Sequence, residues 1–575
     1  MAVIKKNLEI PRLYIIASTA FFALSSTAQI VDRPNSGTAA QGARPPEPLK
    51  KVEPDIQLGD KPTATPATPA TAANSAKVLV KQLRITGQSA FTESQLLAVT
   101  GFTPDSQLSL ADLQQMAAKV QAYYRSQGYF LARAFVPVQA GGTSIVSISV
   151  VEARYGKVDV RNSSGISDAT LTSGLANLQT GSPITQAELE RSILLLSDTP
   201  GITLKSTLSP GQQVGTANLD VDVTPTLKVT GSIDVDTNGN RLVGANRVGA
   251  SVFVNSPAGR GDLLSLRGQS SFAGLTTGRV AYQAPLFGAL RQVQLGAAYA
   301  VTQYAVGQEL SALQAKGTAN VASVFASYPF VRSRSFNLTG QASYDMRALQ
   351  DRVDSVNTVT DKKANVLNVG ISGDRRDNMG GGGITNFGLT YSAGNLNIQS
   401  AAARATDDLS ARSNGGYGKL SYNASRLQAL GAISPGTTLY ASVNGQLASK
   451  NLDSSEKLIL GGATAVRAYP LGEAPGDQGY VVTLEARQQL PQLAAIPGNL
   501  QLVGFVDGGS ISTNKNTFAA GNNTRNLMGA GFGLNWSQSR SFFVKLDWAW
   551  KVGNTPATAD ADRSGRIWLT AVKYF

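Results

Sequence analysis

The chain contains no cysteine and no histidine in its 575 residues. Without imidazole or thiolate, the common zinc and copper sites cannot be built, and neither can Ser-His or Cys-His nucleophilic pairs. A chain without thiols also suits an oxidising envelope compartment, where a stray thiol is a hazard. Beyond the N-terminus there is no run of about 20 apolar residues, the length a membrane-spanning helix needs. Gly380 to Gly383 is followed by neither a Lys-Ser/Thr pair nor a helix start, so it reads as a turn, not a phosphate cradle. Carboxylate chemistry stays possible, but no cofactor fingerprint, metal site or catalytic constellation stands beside it. The net charge of +13 comes from Lys and Arg scattered among strands and loops. Nucleic-acid binding would gather them with aromatics on one element, so a solvated or lumen-lining role is expected.

What the sequence does have is alternation. From Ser335 to Tyr344, Phe336, Leu338, Gly340, Ala342 and Tyr344 fall on one face. Ser335, Asn337, Thr339, Gln341 and Ser343 fall on the other. A strand has a side-chain period of two, so the segment has one apolar and one polar face. Leu439 to Leu447 repeats the pattern, and so does Phe542 to Trp550, with Lys545 and Asp547 on its polar face. Recurrent dyads of about ten residues that end on an aromatic C-terminal residue, here Phe575, point to a membrane barrel with lipid outside and water inside. Residues 227–575, at about 22 residues per strand with its share of loop, give about sixteen strands.

The remaining chain divides by composition. Residues 1–28 read as a secretory signal: Lys5, Lys6 and Arg12 precede the apolar Leu13 to Leu24, and Ser26-Thr27-Ala28 is a small-residue cleavage site. Residues 29–76, rich in Pro, Ala and Thr, read as an extended linker. Pro34, Pro45, Pro46 and Pro48 argue against a long helix there. Residues 77–153 read as β-α-α-β-β: strands at Val78 to Thr86, Phe130 to Val138 and Ser144 to Glu152, the last two joined around Gly141-Gly142. The helices are Thr92 to Val99 and a longer one capped by Ser109 and stopped by Gly128. Residues 154–226 repeat the order, with helices at Ser167 to Leu178 and Pro183 to Ser197.

Together these features resemble the outer-membrane transporters of two-partner secretion, the hemolysin secretion/activation family, in which POTRA domains precede a sixteen-stranded barrel. The resemblance rests on Gly128-Tyr129, Pro137 and Gln139 in the first unit and on Asp198-Thr199-Pro200-Gly201 and Pro210-Gly211 in the second. In the barrel it rests on Asn255 to Asp262, Pro285-Leu286 and Pro329 to Ser333. Two further motifs carry most weight. Val466-Arg467-Ala468-Tyr469 resembles the family's Val-Arg-Gly-Tyr loop, which folds back into the lumen. Phe505-Val506-Asp507-Gly508-Gly509 matches its Phe-x-Asp-x-Gly strand motif.

The resemblance implies that Arg467 is a loop anchor on Asp507, supported by Val466, Tyr469, Phe505 and Gly509, and that Phe575 is a C-terminal assembly signal. Ala468 replaces the family's glycine, which makes a positive φ harder to reach. Lys573 replaces an outward apolar residue, and near the rim it can snorkel. The implied partners are an unfolded secreted exoprotein, outer-membrane lipid and the barrel assembly machinery; no cofactor and no nucleic acid is implied. The implied activity is export of that polypeptide from the periplasm, with no enzymatic step. The alternative is a barrel-insertion factor of the same superfamily, but such factors usually carry more POTRA units than the two that fit here.

Overall fold

The computed structural model describes residues 34–41, 56–58, 77–139, 144–286, 292–492 and 494–575. The signal segment 1–28, the Gly141-Gly142 turn and most of the linker fall outside them. Sixteen antiparallel strands form one closed ring, in which Val229–Asp236 pairs with the final strand, Gly565–Tyr574. The alternation read in the sequence is the alternation of the wall. Leu546, Trp548, Ile567 and Leu569 lie exposed on the outside, whereas the intervening Asp547 and Trp568 are buried inside. An exposed apolar band around a closed strand ring is the inverse of a soluble barrel and is a lipid-facing surface. Closure also leaves no unpaired strand edge.

At the seam, the Gly231 and Phe575 backbones exchange hydrogen bonds of 2.9 and 3.0 Å. A Cβ on Gly231 would stand 2.5 Å from the Phe575 ring. Lys573 lies at the same rim, where its Nζ donates to Ser541 Oγ at 3.0 Å, which is how a lysine is accommodated on that face. The three glycines at 380–382 all take positive φ in the turn after strand Thr358–Asp377.

Two α/β units precede the barrel. In the first, Gln82–Thr86 pairs in parallel with Ile145–Val151, and Arg133–Phe135 adds antiparallel to the same strand. Helix Leu110–Ser126 begins with a reciprocal box: Ser109 caps the Asp112 amide and Asp112 returns to the Ser109 amide. The second unit stacks helices Asp168–Gly174 and Gln186–Ser197 on strands Arg154–Asn162, Ile202–Pro210 and Thr216–Pro225. Its core is Leu171, Leu189, Ile193, Leu219 and Val221, all nearly fully buried.

Several expectations are corrected. The strand expected over Val78 to Thr86 breaks at Lys81 and serves two sheets. The Phe130 to Val138 strand shrinks to Arg133–Phe135, because Phe130 and Leu131 turn away to pack on the second unit's core. Helix Gln186–Ser197 starts after Thr185 caps it, which leaves Pro183 outside. The linker is not wholly extended. Helix Ser36–Gln41 fits between Pro34 and Pro45 and lies against barrel strands, and Ile56–Leu58 pairs in parallel with Ser206–Leu208 as an edge strand of the second unit. The prolines exclude a long helix but not one of six residues.

At the end of the first unit stands Glu152, which is 6% exposed. Its carboxylate accepts from Ser89 N at 2.7 Å, Ala90 N at 2.8 Å, Tyr124 Oη at 2.7 Å and the Ser89 hydroxyl, with Arg154 3.6 Å away. Burial alone would raise its pKa, but these donors outweigh burial and hold it below the usual glutamate value. Its contribution to stability is therefore complete above that usual value and is lost as pH falls through the depressed one. Glu152→Gln should speed amide exchange at Ser89 and Ala90 by about tenfold at neutral pH, and only acid below the usual glutamate value should bring wild type towards the variant. Gly231→Val should lower the folded, heat-modifiable fraction of barrel on gels without altering synthesis, because its side chain meets Phe575.

Candidate functional site

The connection from strand Thr437–Ala448 to strand Gln478–Gln489 does not stay outside the barrel. It enters the lumen, where Leu460, Val466 and Tyr469 are fully buried. They join Val503, Phe505, Ile511, Leu527 and Ala549 of the wall in one apolar cluster. Gly509 makes room for this packing, since a Cβ there would stand 3.0 Å from Leu460 Cδ2 and 2.7 Å from the Tyr480 carbonyl. The Val466 amide donates to the Leu460 carbonyl at 2.8 Å, and Tyr469 Oη donates to the Thr555 carbonyl at 2.9 Å.

Arg467 is seated in this cluster. Its Nε and Nη2 donate to the two Asp507 oxygens at 2.8 and 2.9 Å, and its own amide reaches Asp507 at 3.2 Å. Nη1 lies 2.9 Å from Glu485 and 3.2 Å from Asp547. The guanidinium carbon sits 3.4 Å over the centre of the Phe505 ring. Trp568 Nε1 closes the site by donating to the Arg467 carbonyl at 2.7 Å. Arg487 lies 2.6 Å from Glu485 and Lys545 lies 3.0 Å from Asp547. Three cations thus face three carboxylates, and the cluster is neutral as a whole. Only a planar, forked donor can meet that many acceptors at once, so lysine would not substitute.

The loop has further fixings. Glu473, fully buried, binds Arg525 at 2.5 Å and accepts from the amides of Thr558 and Ala559. Nearer its start, too, loop carboxylates meet wall cations. Asp453 binds Lys362 at 2.7 Å, and Glu456 binds Lys419 at 2.5 Å, Arg347 and the Tyr417 hydroxyl at 2.9 Å. Helix Ser36–Gln41 attaches to the same part of the loop. Gln41 donates to the Ser454 and Lys457 carbonyls, and Ser36 binds Asp351 of the wall. Loop and helix therefore fill part of the lumen, held by polar contacts and, for the loop, by the apolar cluster as well.

The structure brings Arg467, Asp507, Val466, Tyr469, Phe505 and Gly509 into one site; Phe575 lies apart at the seam. Sequence reasoning missed Glu485, Trp568 and Glu473, and it placed Asp547 on the polar face without a partner. Glu485 and Asp547 were within reach, since alternation points both inward and a lumen arginine has more donors than one aspartate can use. Ala468 keeps a negative φ, so the expected need for glycine does not arise. Its methyl is accommodated instead by the wall: a Cβ on Gly529, which pairs with Asp507, would stand 2.5 Å from Ala468 Cβ. Gly529→Ala should therefore unseat the loop and enlarge single-channel conductance in planar bilayers, and the added change Ala468→Gly should restore small conductance. Equal conductance in the single and double variants would show that this contact does not seat the loop.

The profile of the haemolysin secretion/activation protein family ShlB/FhaC/HecB matches residues 215–536, and that of the ShlB-type POTRA domain matches residues 78–153. The heme/hemopexin transporter protein HuxB of Haemophilus influenzae is 28% identical over 98% of this chain and 99% of its own length. The outer membrane transporter CdiB of Dickeya dadantii is 20% identical over 71% of each chain. Among solved structures, CdiB from Escherichia coli superposes with a TM-score of 0.71 at 17% identity, covering 89% of this chain and 93% of that one. CdiB from Acinetobacter baumannii gives 0.63 at 18% identity, covering 91% and 95%. The family profile spans more than half of the chain, and with the POTRA match and the closed sixteen-stranded barrel it shows that this protein belongs to the haemolysin secretion/activation family of bacterial outer-membrane transporters.

Proposed function

We propose that the protein exports one large, unfolded partner polypeptide through its barrel and that Arg467 with Asp507 anchors the loop that must yield during passage. The observation that carries this reading is the character of the loop's fixings. A largely buried segment in a wide lumen is held, beside one apolar cluster, by ion pairs and hydrogen bonds to the wall, which can reform elsewhere without covalent change. Together the contacts keep the loop seated in the lumen at rest, and deleting one partner of a buried pair, which leaves the other uncompensated, costs about 3–5 kcal/mol. With no nucleotide site in view, the driving force would be folding of the cargo outside, which prevents its return.

Capture would take place on the periplasmic units. The Ile202–Pro210 strand offers an edge on which the chain's own Ile56–Leu58 already lies in register. An extended peptide that displaced this segment would gain the same main-chain pairing, the β-augmentation mode. The Haemophilus relatives are named as heme/hemopexin transporters, and we extend to this chain a secreted cargo of that use. Lipid would contact the outer apolar band, and Phe575 would present the finished strand order to the barrel assembly machinery.

Deleting the gene should remove one large protein from the medium and cell surface. Loss of many unrelated outer-membrane proteins would instead favour a barrel-insertion role. Arg467→Ala should reduce export by about tenfold or more while barrel abundance stays near normal, as expected for loss of a buried charge-assisted contact. Undiminished export by that variant would remove the anchor from the mechanism.

A further inference from the structure

Three sequence motifs that the pore reading leaves unused converge on one joint between the second α/β unit and the barrel's periplasmic rim. They are Asp198-Thr199-Pro200-Gly201, the first periplasmic turn Asn255 to Asp262, and the later turn Pro329 to Ser333. Arg332 forks onto Asp198, with Nε to Oδ2 at 2.8 Å and Nη2 to Oδ1 at 3.0 Å. Arg191, on helix Gln186–Ser197, donates to the Phe330 and Pro329 carbonyls at 3.0 and 2.9 Å and to Gln292 at 2.8 Å. The Arg334 amide donates to Glu190 at 2.5 Å. In the first turn, Gly261 has no Cβ where one would stand 2.7 Å from Thr199 Cγ2, and the Ser167 amide donates to the Gly259 carbonyl at 3.1 Å.

The chemistry of this joint differs from that of both bodies it connects. Among the described residues, the apolar cluster of the second unit contains no barrel residue. Its contacts to the rim are ion pairs, amides and carbonyls. The key pair is open to solvent on one side, since the Asp198 side chain is 49% exposed and that of Arg332 is 14% exposed. A polar interface of this kind between two bodies with separate cores opens and closes more readily than a shared core would. Its position also matters. It fixes helix Gln186–Ser197 against one side of the pore mouth, and this sets where strand Ile202–Pro210, on the same sheet, presents its edge.

We infer that Asp198 and Arg332 are positioning residues for transport: they form a reversible electrostatic clasp that aligns the capture unit with the pore entrance. This rests on the export reading above, because alignment has a purpose only if a captured chain is handed inward. The clasp is distinct from the Arg467 anchor, which bears on the lumen loop.

The chain's lack of cysteine makes the test direct. Lys205→Cys in the second unit and Ile433→Cys in a periplasmic turn, both exposed, would carry nitroxide labels in the full-length protein in nanodiscs. The otherwise wild-type protein should give one narrow distance distribution. Asp198→Arg should broaden it and lower, by about tenfold, secretion of the protein that gene deletion removes, with barrel abundance unchanged. Adding Arg332→Asp should restore both readouts. A distribution that stays narrow in Asp198→Arg would overturn the clasp. A broadened distribution with full secretion would overturn its role in transport. Should gene deletion remove no secreted protein, the export reading fails, whereas the distance distributions still decide whether the clasp exists.

Discussion

Hydrocarbon offers no partner to a backbone amide, and that constraint governs the architecture. Every N–H and C=O at membrane depth must be paired within the protein, which for strands means a closed ring. Sixteen strands satisfy it, and the Gly231–Phe575 exchange shows pairing carried to the last residue. Closure at this strand number has a cost: the interior is too wide for wall side chains to fill. The inward loop and helix Ser36–Gln41 answer that surplus space. They are held by one apolar cluster on the wall and by ion pairs and hydrogen bonds around it.

The lumen charges can be understood on the same terms. Burying a lone guanidinium is expensive, and an arginine at 2% exposure persists only among acceptors. The wall supplies them from three of four consecutive strands as Glu485, Asp507 and Asp547, and Arg487 and Lys545 balance the excess negative charge. Asp453 and Glu456 reverse the roles against Lys362, Arg347 and Lys419. Many of the chain's lysines and arginines are therefore matched locally inside the barrel, and the net charge of +13 is what remains beyond such pairs.

The barrel and both α/β repeats were legible because period-two alternation, capping residues and glycine stops are local signals. Ser109 and Gly128 bounded their helix closely for that reason. Elements set by tertiary contacts were not. Phe130 and Leu131 have strand-forming character but leave the strand for the neighbouring unit's core, and Ile56–Leu58 becomes a strand only because an edge is available. At the lumen site, the motif pair indicated Arg467 and Asp507. Glu473 and Trp568 gave no local sign, because their partners are 85 and 101 residues away along the chain.

If the loop yields during export as proposed, Ala468 bears on the speed of its return. With a glycine at this point, the freed loop would wander through more backbone states, all of which must be given up when it returns. An alanine in an ordinary conformation narrows that search, an entropic saving of about 0.4–1 kcal/mol. The methyl that provides this saving fits only because Gly529 leaves space across from it. Under the export mechanism proposed above, the exchange of one hydrogen for one methyl between loop and wall would favour quick resealing once a passenger has gone through, and so would limit leakage across the envelope.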